Sequence, residues 1–161
     1  MGRKLFYTSN NGALTVIRLA LGVVFFAHGA QKMLGWFGGY GFHATMGSFE
    51  HTGIPAVFAF LAICAEFFGG IGLLIGFLSR IAAFGVLVNM CIAIATVHAR
   101  NGLFMNWTGT KHGEGFEFHI LVIAICLAIL WKGAGAFSID RLLTRPSSPE
   151  RVRRMDLPRT A

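Results

Sequence analysis

Apolar residues run along this chain in four long blocks, at about residues 13–34, 55–78, 80–98 and 116–132. They are not spaced at the one-sided interval of a helix lying on a water-soluble core. Each block is close to the 17–25 residues an α-helix needs to cross about 30 Å of hydrocarbon. The short alternating segments of a membrane barrel do not occur. Pro55 is suited to the first turn of the second helix. The second and third blocks are joined only by Leu78-Ser79-Arg80, so they must form an antiparallel hairpin. The expectation is an all-α membrane protein, with four transmembrane helices in an antiparallel bundle over residues 13–143. Residues 1–12 precede that domain, and residues 144–161 follow it as a basic, disordered tail.

The connections differ in kind. Residues 35–54 carry Trp36, Phe37, Tyr40, Phe42 and Phe49 among glycines. Aromatics of this sort favour the membrane–water interface, and Phe42, Met46 and Phe49 recur at helical spacing. A short interfacial helix is therefore expected there. Residues 99–115 are polar. Gly72 and Gly76, at GxxxG spacing, would let another backbone approach closely, either within the bundle or at a homodimer seam.

Composition sharpens the picture. Of 161 residues, 55% are hydrophobic and 13% charged, against about 25% charged in a soluble domain. Too few charges remain to clothe a water-soluble core of this size. The first block contains Arg18, His28 and Lys32 and lacks a small-residue cleavage site, so it reads as a retained helix and not a signal peptide. Cys64, Cys91 and Cys126 fall in three different blocks, which argues against a disulfide framework.

The net charge of +7 is concentrated late, with Arg141, Arg145, Arg151, Arg153, Arg154 and Arg159 near the C-terminus. Without a nucleic-acid motif, such a tail reads as an orientation signal and a surface for anionic lipid, and no nucleic-acid partner is expected. Arg3, Lys4, Arg80 and Lys132 fall on the same side as that tail, against Arg100 and Lys111 on the other. The positive-inside bias puts both termini in the cytoplasm.

Ionisable groups inside such helices are costly and are site candidates by default. Glu66 lies 11 residues after Pro55, roughly 16 Å deep at 1.5 Å per residue. It must be protonated or face a cation. His28 and Lys32, at i and i+4, share one face of the first helix. His98 ends the third helix at the same level, and Glu117 and His119 open the fourth. Arg18 either snorkels toward the headgroups or reaches toward Glu66 or an anionic ligand. Asn89 is expected to hydrogen-bond between helices, and Asp140 to cap a short terminal helix over residues 139–143. No metal is expected, because Glu117 and His119 lie on different faces and no metal-ligand spacing is present.

Taken in order, Arg18-Leu19-x-Leu21-Gly22, His28-Gly29-x-x-Lys32, Gly41-Phe42-x-x-Thr45, Gly53-Ile54-Pro55, Glu66-Phe67-Phe68-Gly69-Gly70 and Gly135-x-x-Ser138-Ile139-Asp140-Arg141 resemble the DoxX family of small bacterial inner-membrane proteins. The resemblance spans roughly residues 12–143. It implies a multi-pass plasma-membrane protein similar to the membrane subunit of a thiosulfate:quinone oxidoreductase. Glu66, His28 and Lys32 would then carry the chemistry, with Arg18, His98 and Glu117 binding the ligand. The implied cofactor is a quinone or a sulfur oxyanion. Since the chain has no heme, flavin or iron–sulfur motif, a redox partner would supply electrons. A small carrier for protons or organic anions, and a non-catalytic membrane scaffold, are the alternatives.

Overall fold

The computed structural model describes residues 5–144, and every regular element among them is helical. Helix α1 is Gly12–Leu34, α2 is Gly41–His51, α3 is Ala56–Ile75, α4 is Ser79–Ala93, α5 is Glu117–Lys132 and α6 is Ile139–Thr144. Arg3, Lys4 and the tail after Thr144, with its expected lipid surface, lie outside the described residues.

Helix α1 starts where Asn11 Oδ1 accepts from Leu14 N–H at 3.2 Å, and stops at Gly35, whose φ of +74° ends the turn. Helix α3 stops at Gly76 in the same left-handed conformation, against Ser138. After α4 the helix widens into a π turn at Ile94–His98 and tightens into a 3-10 turn at Ala99–Asn101. Among the described residues, three helical stretches are long and apolar enough to cross a membrane: Gly12–Leu34, Ala56–Ile75 and Ser79–Asn101. Helix α5, the fourth block of the sequence, is shorter at 16 residues.

The helices pack in a ring, α1 on α3, α3 on α4, α4 on α5, and α5 back on α1. Leu21, Phe25, Leu73, Val86, Val122 and Ile129 fill its centre. Outward, Val23, Phe68, Phe84, Leu121 and Leu127 are exposed. That is the inverse of a soluble surface, and a lipid solvent accounts for it. The α1–α3 contact is made by small residues. A side chain at Gly29 would run into the backbone of Phe67, one at Gly70 into that of Phe26, and one at Gly22 would sit 2.9 Å from Leu74 N. As α1 numbers rise the facing α3 numbers fall, so the pair is antiparallel. Gly72 faces Phe77 and Ala82 of its own hairpin.

Those contacts give a direct expectation. Gly29→Ala and Gly70→Ala should each destabilise the protein by about 1–2 kcal/mol, as overpacking does. Gly47→Ala on α2, where nothing lies within 4 Å, should be neutral or slightly stabilising. Thermal unfolding in detergent checks this, and equal midpoints for all three variants would refute close backbone approach.

The segment before α1 and the segment after α5 meet at one end of the bundle. Ser9 N–H donates to Lys132 O at 3.0 Å, and Ala136 N–H to Asn11 O at 3.1 Å. The α3–α4 hairpin turns at the same end, and two buried charges from elsewhere hold it. Arg18, 1% exposed, donates from Nε to Ala134 O at 2.8 Å, from Nη1 to Leu73 O and Leu74 O, and from Nη2 to Phe137 O at 2.6 Å. Leu73 and Leu74 carry terminal carbonyls of α3 that have no partner within the helix. Asp140 completes the turn, accepting from Leu78 N–H at 2.8 Å and Ser79 N–H at 3.0 Å. It therefore caps α4, and not the terminal helix as the local sequence suggests. Ser138 Oγ, accepting from Arg141 N–H at 3.2 Å, caps α6. Local spacing favoured Asp140 because the α4 terminus, 61 residues earlier, is brought to it only by the fold.

Candidate functional site

At the end of the bundle away from the termini, the ring opens into a cavity of about 520 Å³. Its walls are largely apolar: Phe25, Phe58, Ala59, Ala62, Met90 and Phe118. Phe49 of α2 and Ile54 close one side, and Met105 and Glu114 of the long loop close another. Into this space project Lys32 and His28 from α1, Glu66 from α3, Asn89 and His98 from the α4 stretch, and His119 from α5.

Glu66 organises the group. It is 4% exposed, and its Oε1 accepts from Lys32 Nζ at 2.5 Å and from Asn89 Nδ2 at 2.9 Å. A carboxyl group at this depth needs such partners to offset its lost hydration. The two come from opposite neighbours in the ring, so the carboxylate ties α1, α3 and α4 together. Its Oε2 is buried with no hydrogen-bond partner among the described residues. Lys32 also lies over Phe49, its Nζ 5.9 Å from the ring centroid, close enough for a cation–π contact.

The histidines mark the opposite wall. His98 Nδ1 donates to Glu114 O at 2.8 Å. Since the carbonyl can only accept, the proton of a neutral His98 sits on Nδ1 and leaves Nε2 as an acceptor. The His98 and His119 rings are 4.2 Å apart between centroids, and His119 Nδ1 is buried without a hydrogen-bond partner among the described residues.

Of the sequence candidates, Glu66, Lys32, His28 and His98 line one cavity, while Arg18 and Glu117 do not. Arg18 sits at the far end, with its donors spent on main-chain carbonyls. Glu117 Oε1 accepts from Met105 N–H at 3.0 Å and Trp107 Nε1 at 3.1 Å, anchoring the long loop to the first turn of α5. Two members were not singled out for the site. Asn89 was readable as an amide amid apolar residues, but its partner depends on helix rotation. His119 was seen on α5, yet which face it occupies becomes clear only from the packing.

The family model for DoxX matches residues 13–99, more than half of the chain. The chain belongs to the DoxX family. The matched segment of this DoxX protein carries Lys32, Glu66, Asn89, His28 and His98, whereas His119 comes from beyond it. An uncharacterized membrane protein of Mycobacterium tuberculosis, Rv3486, is 33% identical over 150 residues, covering 88% of each chain. The inner membrane protein YqjF of Escherichia coli K12 is 28% identical over 130 residues, covering 81% of this chain and 91% of that one. No solved structure matches the chain. With its three membrane-length helices, this DoxX protein is a multi-pass inner-membrane protein.

Proposed function

We propose that this DoxX chain is a quinone-binding membrane subunit of a redox system, with the Glu66 cavity as its ligand site. The observation that carries the reading is a buried, ion-paired carboxylate opening on a chamber whose walls are largely apolar. An aromatic ring with polar oxygens suits such walls. A compact sulfur oxyanion would lose its hydration to phenyl and aliphatic surfaces while facing the Glu66 charge. The orphaned Oε2 and the remaining N–H groups of Lys32 give the residues present a way to hold oxygen substituents.

A quinone, when bound, supplies reversible uptake of two electrons and two protons. Lys32 would donate a hydrogen bond to a ring oxygen, and Glu66 and Asn89 fix where Lys32 can place it. Phe25, Phe58 and Phe118 exclude water from the ring. His28 and His98 stand where protons can be exchanged with the loop side. Electrons come from a partner protein in this reading.

Topology is part of the same proposal. Helix α5 is the fourth span: 16 residues reach about 24 Å, and flanking Trp131 and Lys132 suit an interface. Both termini then face the cytoplasm, a reading supported by the Ser9–Lys132 hydrogen bond and by the arginine bias. The cavity falls in the outer half of the membrane.

The test is equilibrium binding of a short-chain benzoquinone to the full chain in nanodiscs. Saturable binding is expected, weakened about tenfold or more by Lys32→Met, the loss of one charge-assisted hydrogen bond. Absence of saturable binding, or an unchanged affinity in a folded Lys32→Met protein, would overturn the reading. Competition by thiosulfate alone would move the site to a sulfur oxyanion.

A further inference from the structure

The polar atoms of the cavity do not ask for the same partner. Lys32 carries N–H donors only, and one of them is already given to Glu66 Oε1. Glu66, as the carboxylate of that ion pair, is acceptor only. Glu66 lines the cavity, and its Oε1 takes two hydrogen bonds, from Lys32 and Asn89, whereas its buried Oε2 takes none from the described residues. Across the cavity His119 Nδ1 is likewise buried and unpartnered, and it accepts or donates according to tautomer. A ring oxygen docked here therefore meets a donor and an acceptor side by side. A carbonyl oxygen can accept from Lys32 but has nothing to give Glu66 Oε2. A hydroxyl can do both at once, accepting from Lys32 and donating its one proton to Glu66.

We infer that the cavity selects its ligand in the hydroxyl-bearing form, so that a hydroquinone binds in preference to the corresponding quinone. This rests on the quinone-site reading and adds the redox form that the site favours. The physical cause is the cost of leaving a buried carboxylate oxygen without a hydrogen bond. The oxidised ligand leaves Oε2 bare, and the reduced ligand does not. Phe25, Phe58 and Phe118 contribute to both forms alike and cancel in the comparison.

The experiment compares a decyl-substituted benzoquinone with the same compound reduced to its hydroquinone, titrated anaerobically into the full chain in nanodiscs. The hydroquinone should bind at least about tenfold more tightly, the worth of one charge-assisted hydrogen bond. The bound couple should show a midpoint potential about 30 mV higher for each tenfold of preference. Two changes should erase the preference. Glu66→Gln places an amide where the carboxylate stood, and the ratio of affinities should fall toward one. On the unaltered protein, capping both hydroxyls of the hydroquinone as methyl ethers should bring its affinity down to that of the quinone, independently of whether the Gln variant folds. Equal affinities for the two redox forms, or a methyl ether bound as tightly as the hydroquinone, would overturn the preference while leaving the quinone site standing. Failure of both forms to bind would overturn the two together.

Discussion

Arg18→Ala should cost the folded protein about 3–5 kcal/mol, the range for removing one member of a buried charged network. The loss has two sources. The carbonyls of Leu73, Leu74, Ala134 and Phe137 would each lose a donor at buried or part-buried positions. Asp140, which still caps α4, would lose the nearby positive charge. Arg18→Lys should recover less than half of the deficit. An ammonium is a single point on a flexible stem, whereas the guanidinium fork reaches acceptors on α3 and on the α5–α6 connection simultaneously. Unfolding of the purified protein in mixed detergent micelles measures both. An Arg18→Ala midpoint equal to wild type would refute the clamp. Because Arg18 does not line the cavity, ligand affinity of the folded fraction of Arg18→Lys should stay unchanged.

The second large effect concerns the Glu66–Lys32 pair and separates a binding site from a scaffold. Glu66→Gln leaves an ammonium without its counter-ion and should cost about 3 kcal/mol. The low end of the range applies because the Lys32 side chain is 30% exposed. Glu66→Leu combined with Lys32→Met should regain most of that stability, since an apolar pair of similar volume avoids desolvating two charges. Ligand affinity should not return with it. A double variant that is as stable as wild type yet binds no quinone assigns the pair to the ligand. A double variant that keeps wild-type binding, or full redox activity in cells, removes these two residues from the function.

Much of this was legible in the sequence, for reasons that can be named. The three long spans follow from uninterrupted apolar blocks, and the hairpin from a link too short for anything else. Glu66 stood out because nothing adjacent in sequence could compensate it, and Lys32 and His28 because four residues make one helical turn. What the sequence could not carry was rotation about each helix axis. Arg18 and Glu66 looked like potential partners by depth, yet they serve opposite ends of the bundle. Glu117 was grouped with His98 by level alone, but its carboxylate turns to the loop. The role of Asp140 was hidden for the same reason, because its acceptors face a helix terminus remote in the chain. The short α2 was foreseen from Phe42, Met46 and Phe49, but not that Phe49 would lie under Lys32 and close the cavity.

The two ends of the bundle are fastened unequally. At the end bearing the termini, α1, the hairpin and the α5–α6 connection are tied by the donors of Arg18, the caps of Asp140 and main-chain bonds between chain ends. At the other, α4 gives up regular α-helical spacing at Ile94–His98 just where it borders the cavity. Amide exchange should follow that gradient, slowest around Leu73 and Ser79 and fastest around Thr96 and Arg100. In the proposed site the molecule would work like a pair of tongs, any parting that admits a ring falling at the loosely fastened grip and not at the pivot. The traffic of ligand would thereby be uncoupled from the integrity of the fold.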